Sequence, residues 1–564
     1  MNIARRLSRC LNLLLLAGSI LVVSVVSSDS AESSHSSAQV SEENIEYMIR
    51  NLSIDVSSGL LRSRFCLRET DCLEMVDTLI VWLDAYTGAT PVIDPFTIER
   101  FFTSGTVTVT GYNIIVDIDT SPSSSDVFLL TAHYDAIGSR SAGWWDEWET
   151  AVAPGANDNA SGVAAVIEAA GILSKLELPF DIRVILFSGE ELNKLGSHDY
   201  VEEKCDDDCA GRILGVINLD MLGYSGEGSG VTVMSDEYSG WMAYLALEAA
   251  EELAPELPSR LIKPGPWNWD HASFWVATGV QISAITLSEP LAETGSIIYP
   301  YYHTVRDTLG YVDLGQVIGI TEIITGLVAG FADSPTELTI YDTDIVYYVD
   351  GVEKAFKRFE EGETIEAVIK VRNTGGQDYP GEKVFLTVVH EFSSGTKTLF
   401  SGLVDIPDVL RTTDISLILD ERNVSPGGNI LRAKISGTPT GDDPGNDSAV
   451  SLFTVEGELG GLLNHYFMPN PIDREFNRAM FCIDLASEAD LKIEIYTLEG
   501  ILLSTGVLGD SYGIGLDPGY SCHSCGELFR DIDELASGVY VYRIVVFPRD
   551  GIQSDHRGRF AIVK

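Results

Sequence analysis

Basic charge is what this 564-residue chain has least of: 37 Lys+Arg stand against 84 Asp+Glu, a formal charge of −47, and only 12 of the basic residues are lysine. A surface this negative repels phosphates and offers few of the contacts on which nucleic-acid affinity depends, so nucleic acid is excluded as a partner. Cysteine is also sparse, at eight residues. Cys522 and Cys525 form a CxxC with only Cys482 nearby, so a four-thiolate zinc site lacks its fourth ligand. No fixed-period repeat is visible, which excludes a solenoid. With 45% apolar residues the chain is not disordered, and its length predicts two to four domains.

Long apolar runs are confined, on this reading, to the N-terminus. Arg5, Arg6 and Arg9 precede an uncharged stretch from Leu11 to Val26, followed by small polar residues to Ala31. That three-part layout predicts a secretory signal peptide over residues 1–31, with a polar leader over 32–41, and hence a secreted or cell-surface protein. Outside the cytosol, local disulfides such as Cys66 with Cys72 and Cys205 with Cys209 are expected.

From 42 to 335 apolar runs alternate with helical patterns. Strands are predicted at Tyr112 to Ile118, Val127 to Ala132, Ile182 to Phe187, Leu214 to Leu219 and Ile282 to Leu287, with helices at Ser161 to Leu176, Trp241 to Leu253 and Leu314 to Ala329. The expected fold class is α/β, a mixed β-sheet sandwiched by helices, followed by two all-β sandwich domains. Short alternating runs such as TIEAVIKVRN and EKVFLTVVH mark the first of these over 336–456, and DLKIEIYTLEG and SGVYVYRIVVF the second over 457–564. Asp442, Asp443, Asn446 and Asp447 read as a solvated turn in preference to a calcium loop.

Chemistry-bearing residues fall where predicted strands end, which is where open α/β sheets place ligands. VFLLTA runs into His133 and Asp135, which share a face if the strand persists, so Asp135 can orient the imidazole. PGANDNASG presents Asp158 just before a helix, where an ordinary cap is the plainer reading. IRVILFSG runs into Glu190 and Glu191, GVINLDMLG drives Asp220 to a strand end, and YYHTVRDT places His303 among aromatics. Each has a bland explanation alone. In order they supply imidazole, carboxylate, carboxylate pair, carboxylate and imidazole, and two imidazoles with carboxylates suit zinc better than calcium or magnesium.

This order and its local strings resemble the M28 family of co-catalytic zinc peptidases, of the bacterial leucyl-aminopeptidase type, over roughly Glu42 to Gly330. The resemblance implies two zinc ions per chain, with His133, Asp158 and Asp220 on one, Asp158, Glu191 and His303 on the other, Glu190 as general base toward a metal-bridged water, and Asp135 as the partner of His133. It implies peptide substrates cleaved at an apolar N-terminal residue. Carboxypeptidase and glutaminyl cyclase activities share the constellation and stay open, with Arg306 as the candidate for a terminal carboxylate, and an inactive surface-binding protein is the alternative of another class. Asp270 and His271 in WDHASFW read as structural; Tyr301, Tyr302, Trp267 and Trp269 are candidates for a side-chain pocket or for core packing. The segment 336–456 resembles a CARDB-like sandwich, and 457–564 resembles the immunoglobulin-like C-terminal sorting modules of secreted bacterial proteins, which implies contact with cell envelope or polysaccharide. Oligomeric state is not legible.

Overall fold

The computed structural model describes residues 40–562 apart from 56, 103–104, 227, 276–281, 293–294, 333–336, 355–356 and a series of short stretches between 361 and 553. The segment read as a signal peptide and most of the acidic turn at 442–446 lie outside the described residues.

Two helices open the fold, α1 (Glu42–Ser53) and α2 (Glu69–Thr87). They are followed by a long hairpin, β1 (Val92–Phe102) and β2 (Gly105–Ile118), then β3 (Val127–His133), α3 (Gly162–Leu173), β4 (Asp181–Phe187), β5 (Ile213–Leu219), β6 (Val231–Met234), α4 (Gly240–Leu253), β7 (Ser259–Ile262), β8 (Ala284–Ser288) and α5 (Leu314–Ala329). The strands form one eight-stranded sheet in the order β1-β2-β4-β3-β5-β8-β6-β7. Its four central strands, β4, β3, β5 and β8, run parallel, and β1, β2 and β6 add antiparallel pairings.

Every residue of β3 and β5 is buried, as expected of strands covered on both faces. One face packs Leu130, Ala132, Val184 and Ile217 against α3 and α5. The other packs Leu129, Ile185 and Val216 against Tyr200, Phe274 and Trp275. Helix α3 is buried along its whole length, which its run of Ala, Val, Ile and Gly permits. The helical stretch Leu314–Ala332 is long and apolar enough by composition to cross a membrane, contrary to the expectation that no stretch beyond the N-terminus is; here it packs its buried side on the sheet core.

All-β sheets complete the chain. A five-stranded sheet built on Ile365–Asn373 and Thr412–Leu419 shares an apolar cluster with a second built on Lys383–Phe392 and Gly427–Ser436. Further on, a three-stranded and a four-stranded sheet share a cluster of Phe481, Ile483, Leu491, Ile493 and Ile544. The first pair is keyed to the α/β part: Val409 and Leu410 belong to its core cluster, Arg411 pairs with Asp126 at 2.8 Å, and buried Arg372 lies 4.2 Å over the Trp241 ring while pairing with Asp344 at 2.7 Å.

Cys205 and Cys209 form a disulfide, and Cys482 is also disulfide-bonded. The expected Cys66–Cys72 staple is absent: both are free thiols, buried in one apolar cluster with Phe65 and Ile98, where packing of the reduced side chains takes the place of a covalent link.

Candidate metal centre

The parallel register brings the C-terminal ends of β3, β4 and β5 side by side, so the residues just beyond them converge. His133 ends β3, Glu190 and Glu191 follow β4 in a single helical turn, and Asp220 follows β5. Asp158 lies in the buried 156–161 segment leading into α3, and its peptide bond to Asn159 is cis. His303 comes from the loop before α5, with φ at 57°.

His133 Nε2 lies 3.4 Å from Asp158 Oδ1 and 3.3 Å from Asp220 Oδ1. His303 Nε2 lies 3.3 Å from Asp158 Oδ2 and 2.7 Å from Glu191 Oε2. Two three-residue groups therefore form, His133–Asp158–Asp220 and Asp158–Glu191–His303, each with its potential ligand atoms within 4.8 Å of one another and sharing Asp158. Glu190 belongs to neither; its Oε2 is 4.0 Å from His133 Nε2, and it lines the same pocket.

The electrostatics of the bare site are those of a place built for positive charge. Burial, reinforced by Asp220 and Asp270, pushes the Glu190 carboxyl well above the usual carboxylate range. Burial also pushes Glu191 up to about 7. Burial opposes charge on His303, yet Glu191 and Asp158 outweigh it and raise the imidazole to about 10. Glu191 Oε1 is buried with no hydrogen-bond donor among the described residues, an acceptor that a cation would satisfy. Nitrogen and oxygen donors in two adjoining sets fit zinc.

His133 Nδ1 lies 3.2 Å from the backbone carbonyl of Asp135, which turns Nε2 toward the carboxylates. The Asp135 carboxylate is 3.6 Å from the same nitrogen and accepts the N–H groups of Glu190 and Glu191 at 3.2 and 3.3 Å. It thus holds the strand-to-helix turn that carries both glutamates.

Sequence reasoning missed the braces around Asp158. Asp307 accepts the N–H of Asn157 and of Asp158, each at 2.9 Å, and the Tyr299 hydroxyl at 2.8 Å. Asn157 in turn donates to buried Glu289 at 2.8 Å. Fully buried Arg64 donates to the carbonyls of Tyr134 at 2.8 Å, Leu52 at 3.0 Å, Gly155 at 2.8 Å and also Pro154. Gly155 has φ 53°, and a Cβ there would lie 2.3 Å from the Asp158 carbonyl oxygen, so glycine is required. Gly155 and Asn157 stand within PGANDNASG and Asp307 within YYHTVRDT, strings the sequence already marked, whereas Arg64 and Glu289 carried no visible signal.

Of the aromatic candidates, Trp269 and Tyr302 line the pocket beside Met221 and Ile297. Trp267 is largely exposed and packs edge-on to Trp275. Tyr301 faces Tyr311 and Arg306 instead. Asp270 accepts from Ser197 at 2.6 Å and His271 Nδ1 lies 2.6 Å from Thr286 Oγ1, both fully buried.

Residues 113–328 match the model of Peptidase family M28. Aminopeptidase YwaD of Bacillus subtilis (strain 168) is 28% identical over 205 residues, covering 36% of this chain and 40% of that protein. Leupeptin-inactivating enzyme 1 of Streptomyces exfoliatus is 33% identical over 129 residues, 22% of this chain and 25% of its own. The chain therefore spans less than half the length of these two relatives. Among solved structures, BSAP, a zinc aminopeptidase from Bacillus subtilis, aligns at 17% identity with a TM-score of 0.42, covering 51% of this chain and 95% of that one.

Proposed function

We propose that this chain is a secreted di-zinc aminopeptidase that removes apolar N-terminal residues from peptides. The observation that carries the reading is the pair of three-ligand groups sharing Asp158, with a fourth carboxylate, Glu190, beside them and outside both. The match to a peptidase family model and the aminopeptidase names of the relatives support it.

In this reading His133, Asp158 and Asp220 hold one zinc and Asp158, Glu191 and His303 the other. The chemistry supplied by the bound metal is Lewis acidity that polarises a carbonyl and acidifies water. Asp135 keeps the Glu190–Glu191 turn in place and His133 in the right tautomer. Glu190 accepts the proton of the attacking water and returns it to the leaving amine, a role open to it because it lines the pocket while standing outside both ligand groups. Met221, Trp269 and Ile297 offer apolar surface to the side chain of the residue removed. The β sheets after 336 supply contact with envelope or polysaccharide and position the enzyme outside the cell.

The test is hydrolysis of Leu-p-nitroanilide and its N-acetyl counterpart, with and without chelator, alongside metal analysis. Chelator-sensitive cleavage of the free-amine substrate alone, with about two zinc per chain, is expected. Bound zinc without cleavage would shift the reading to carboxypeptidase or cyclase activity, and a metal-free protein would leave only a binding role.

A further inference from the structure

Among the described residues no Lys or Arg lines the pocket, and its carboxylates Asp158, Glu190, Glu191 and Asp220 serve the metals and the attacking water in the proposed reading, so a carboxylate elsewhere on the substrate finds no basic side chain there. Any carboxylate carried by a short peptide must be met at the rim, by a cation that the protein has not already neutralised. In a chain with 84 acidic and 37 basic residues such cations are scarce. Arg306 keeps its charge, but its N–H groups are already engaged: its guanidinium lies 4.4 Å over Tyr301 and donates to the hydroxyls of Tyr301 and Tyr311 at 3.3 and 3.1 Å.

Arg140 is different. Its guanidinium lies 4.4 Å from the ring centroid of Tyr302, which lines the pocket and stacks on His303 at 3.6 Å. The backbone fixes it there: Arg140 N–H donates to the His303 carbonyl at 2.9 Å, and Ser139 Oγ lies 3.4 Å from His303 Nδ1. The side chain is exposed, and no carboxylate pairs with it among the described residues. Stacking on a tyrosine leaves the in-plane N–H fork of a guanidinium open to a carboxylate.

Resting on the aminopeptidase reading, we infer that Arg140 recognises a carboxylate on the leaving side of the substrate, so that the enzyme favours peptides whose first leaving residue bears one. A terminal carboxylate and an acidic side chain share this chemistry.

The experiment uses the full zinc-loaded protein and compares kcat/KM for Leu-Gly, Leu-Gly-amide and Leu-Asp-amide. The expected ratio of Leu-Gly to Leu-Gly-amide is about tenfold, the scale of one charge-assisted hydrogen-bonded pair, falling to about one in Arg140→Gln and partly restored in Arg140→Lys. The ratio is internal to each variant and independent of how much protein is folded. Preference for Leu-Gly alone identifies the terminal carboxylate as the recognised group, and equal preference for Leu-Asp-amide identifies either source. A ratio near one in the unmodified protein, or an unchanged ratio in Arg140→Gln, overturns the assignment. If none of the three is cleaved, the peptidase reading fails by itself. Calorimetric binding of D-Leu-Gly against its amide then decides the role of Arg140: a preference that Arg140→Gln abolishes supports it, and no preference overturns it.

Discussion

The Asp135 carboxylate accepts the backbone N–H groups of Glu190 and Glu191 with one oxygen each, at 3.2 and 3.3 Å, while the Asp135 carbonyl meets His133 Nδ1. One residue thereby fixes the imidazole of one ligand group and the turn carrying a ligand of the other. Asp135→Asn turns an amide N–H₂ toward one of the two donors. We expect kcat/KM to fall about 10- to 100-fold with a matching loss of zinc affinity, read by steady-state kinetics and metal titration. A variant with unchanged affinity and activity would show that the turn holds its shape without this carboxylate.

Glu190 stands outside both ligand groups, so its removal separates proton transfer from metal binding. Glu190→Gln keeps size and hydrogen-bonding reach but cannot take a proton. Turnover of Leu-p-nitroanilide is expected to drop by about 10²- to 10⁴-fold with zinc content unchanged. Loss of zinc in that variant would reassign Glu190 as a ligand.

Arg64 is buried and donates to four carbonyls, of Leu52, Tyr134, Pro154 and Gly155, tying α1 to the segment that presents Asp158. Burial lowers its pKa to about 10, still leaving it charged at neutral pH. Arg64→Met removes every donor and leaves the carbonyls without partners. A loss of about 3–5 kcal/mol is expected from urea unfolding. A loss below about 1 kcal/mol would mean that water enters and replaces the guanidinium.

The strand ends and the residues on them were legible because each follows an apolar run, and a polar residue directly after a buried strand has few places to go. The hairpin β1–β2 was legible only in part: β1 is an edge strand whose apolar Val92, Ile93 and Phe101 are exposed, so its apolar residues do not sort into one buried and one solvent face. Helices α1 and α2 also escaped notice, though the Ser41 side chain caps α1 through the Asn44 N–H. The braces Arg64, Asn157, Glu289 and Asp307 act by hydrogen-bonding to backbone and to each other across the fold, and no spacing in the chain encodes such partners. Arg140 was invisible for the same reason: its stacking on Tyr302 joins positions 162 residues apart.

Without metal, His303 carries a pKa raised to about 10 by Glu191 and Asp158 against the opposing effect of burial. A raised histidine pKa contributes stability that is fully present below the unfolded value of about 6.5 and is lost as pH rises toward 10. Zinc binding requires the neutral imidazole, so its advantage runs the other way. In thermal melts from pH 6.5 to 10, this histidine lowers the midpoint of chelator-treated protein with rising pH, whereas the increment produced by added zinc grows. His303→Asn should flatten both trends. A zinc increment that is constant with pH would mean that His303 is already neutral in the metal-free protein.

Arg372 joins the first β-sheet pair to the α/β part through buried contacts, pairing with Asp344 at 2.7 Å and covering Trp241, which is only 1% exposed. Near it the Tyr244 hydroxyl donates to Asp342 at 3.0 Å, and a Cβ on Gly240 would meet the Thr343 side chain at 2.5 Å, so the two surfaces fit without spare room. Such packing predicts one mechanical unit and not a freely swinging module. Arg372→Met leaves Asp344 as an unpaired buried carboxylate, with an expected cost of about 3 kcal/mol. It should also turn one calorimetric transition into two, the β sheets melting first, with Trp241 emission shifting red at the earlier step. A single unshifted transition in this variant would mean that the apolar contacts of Val409 and Leu410 hold the two parts together unaided.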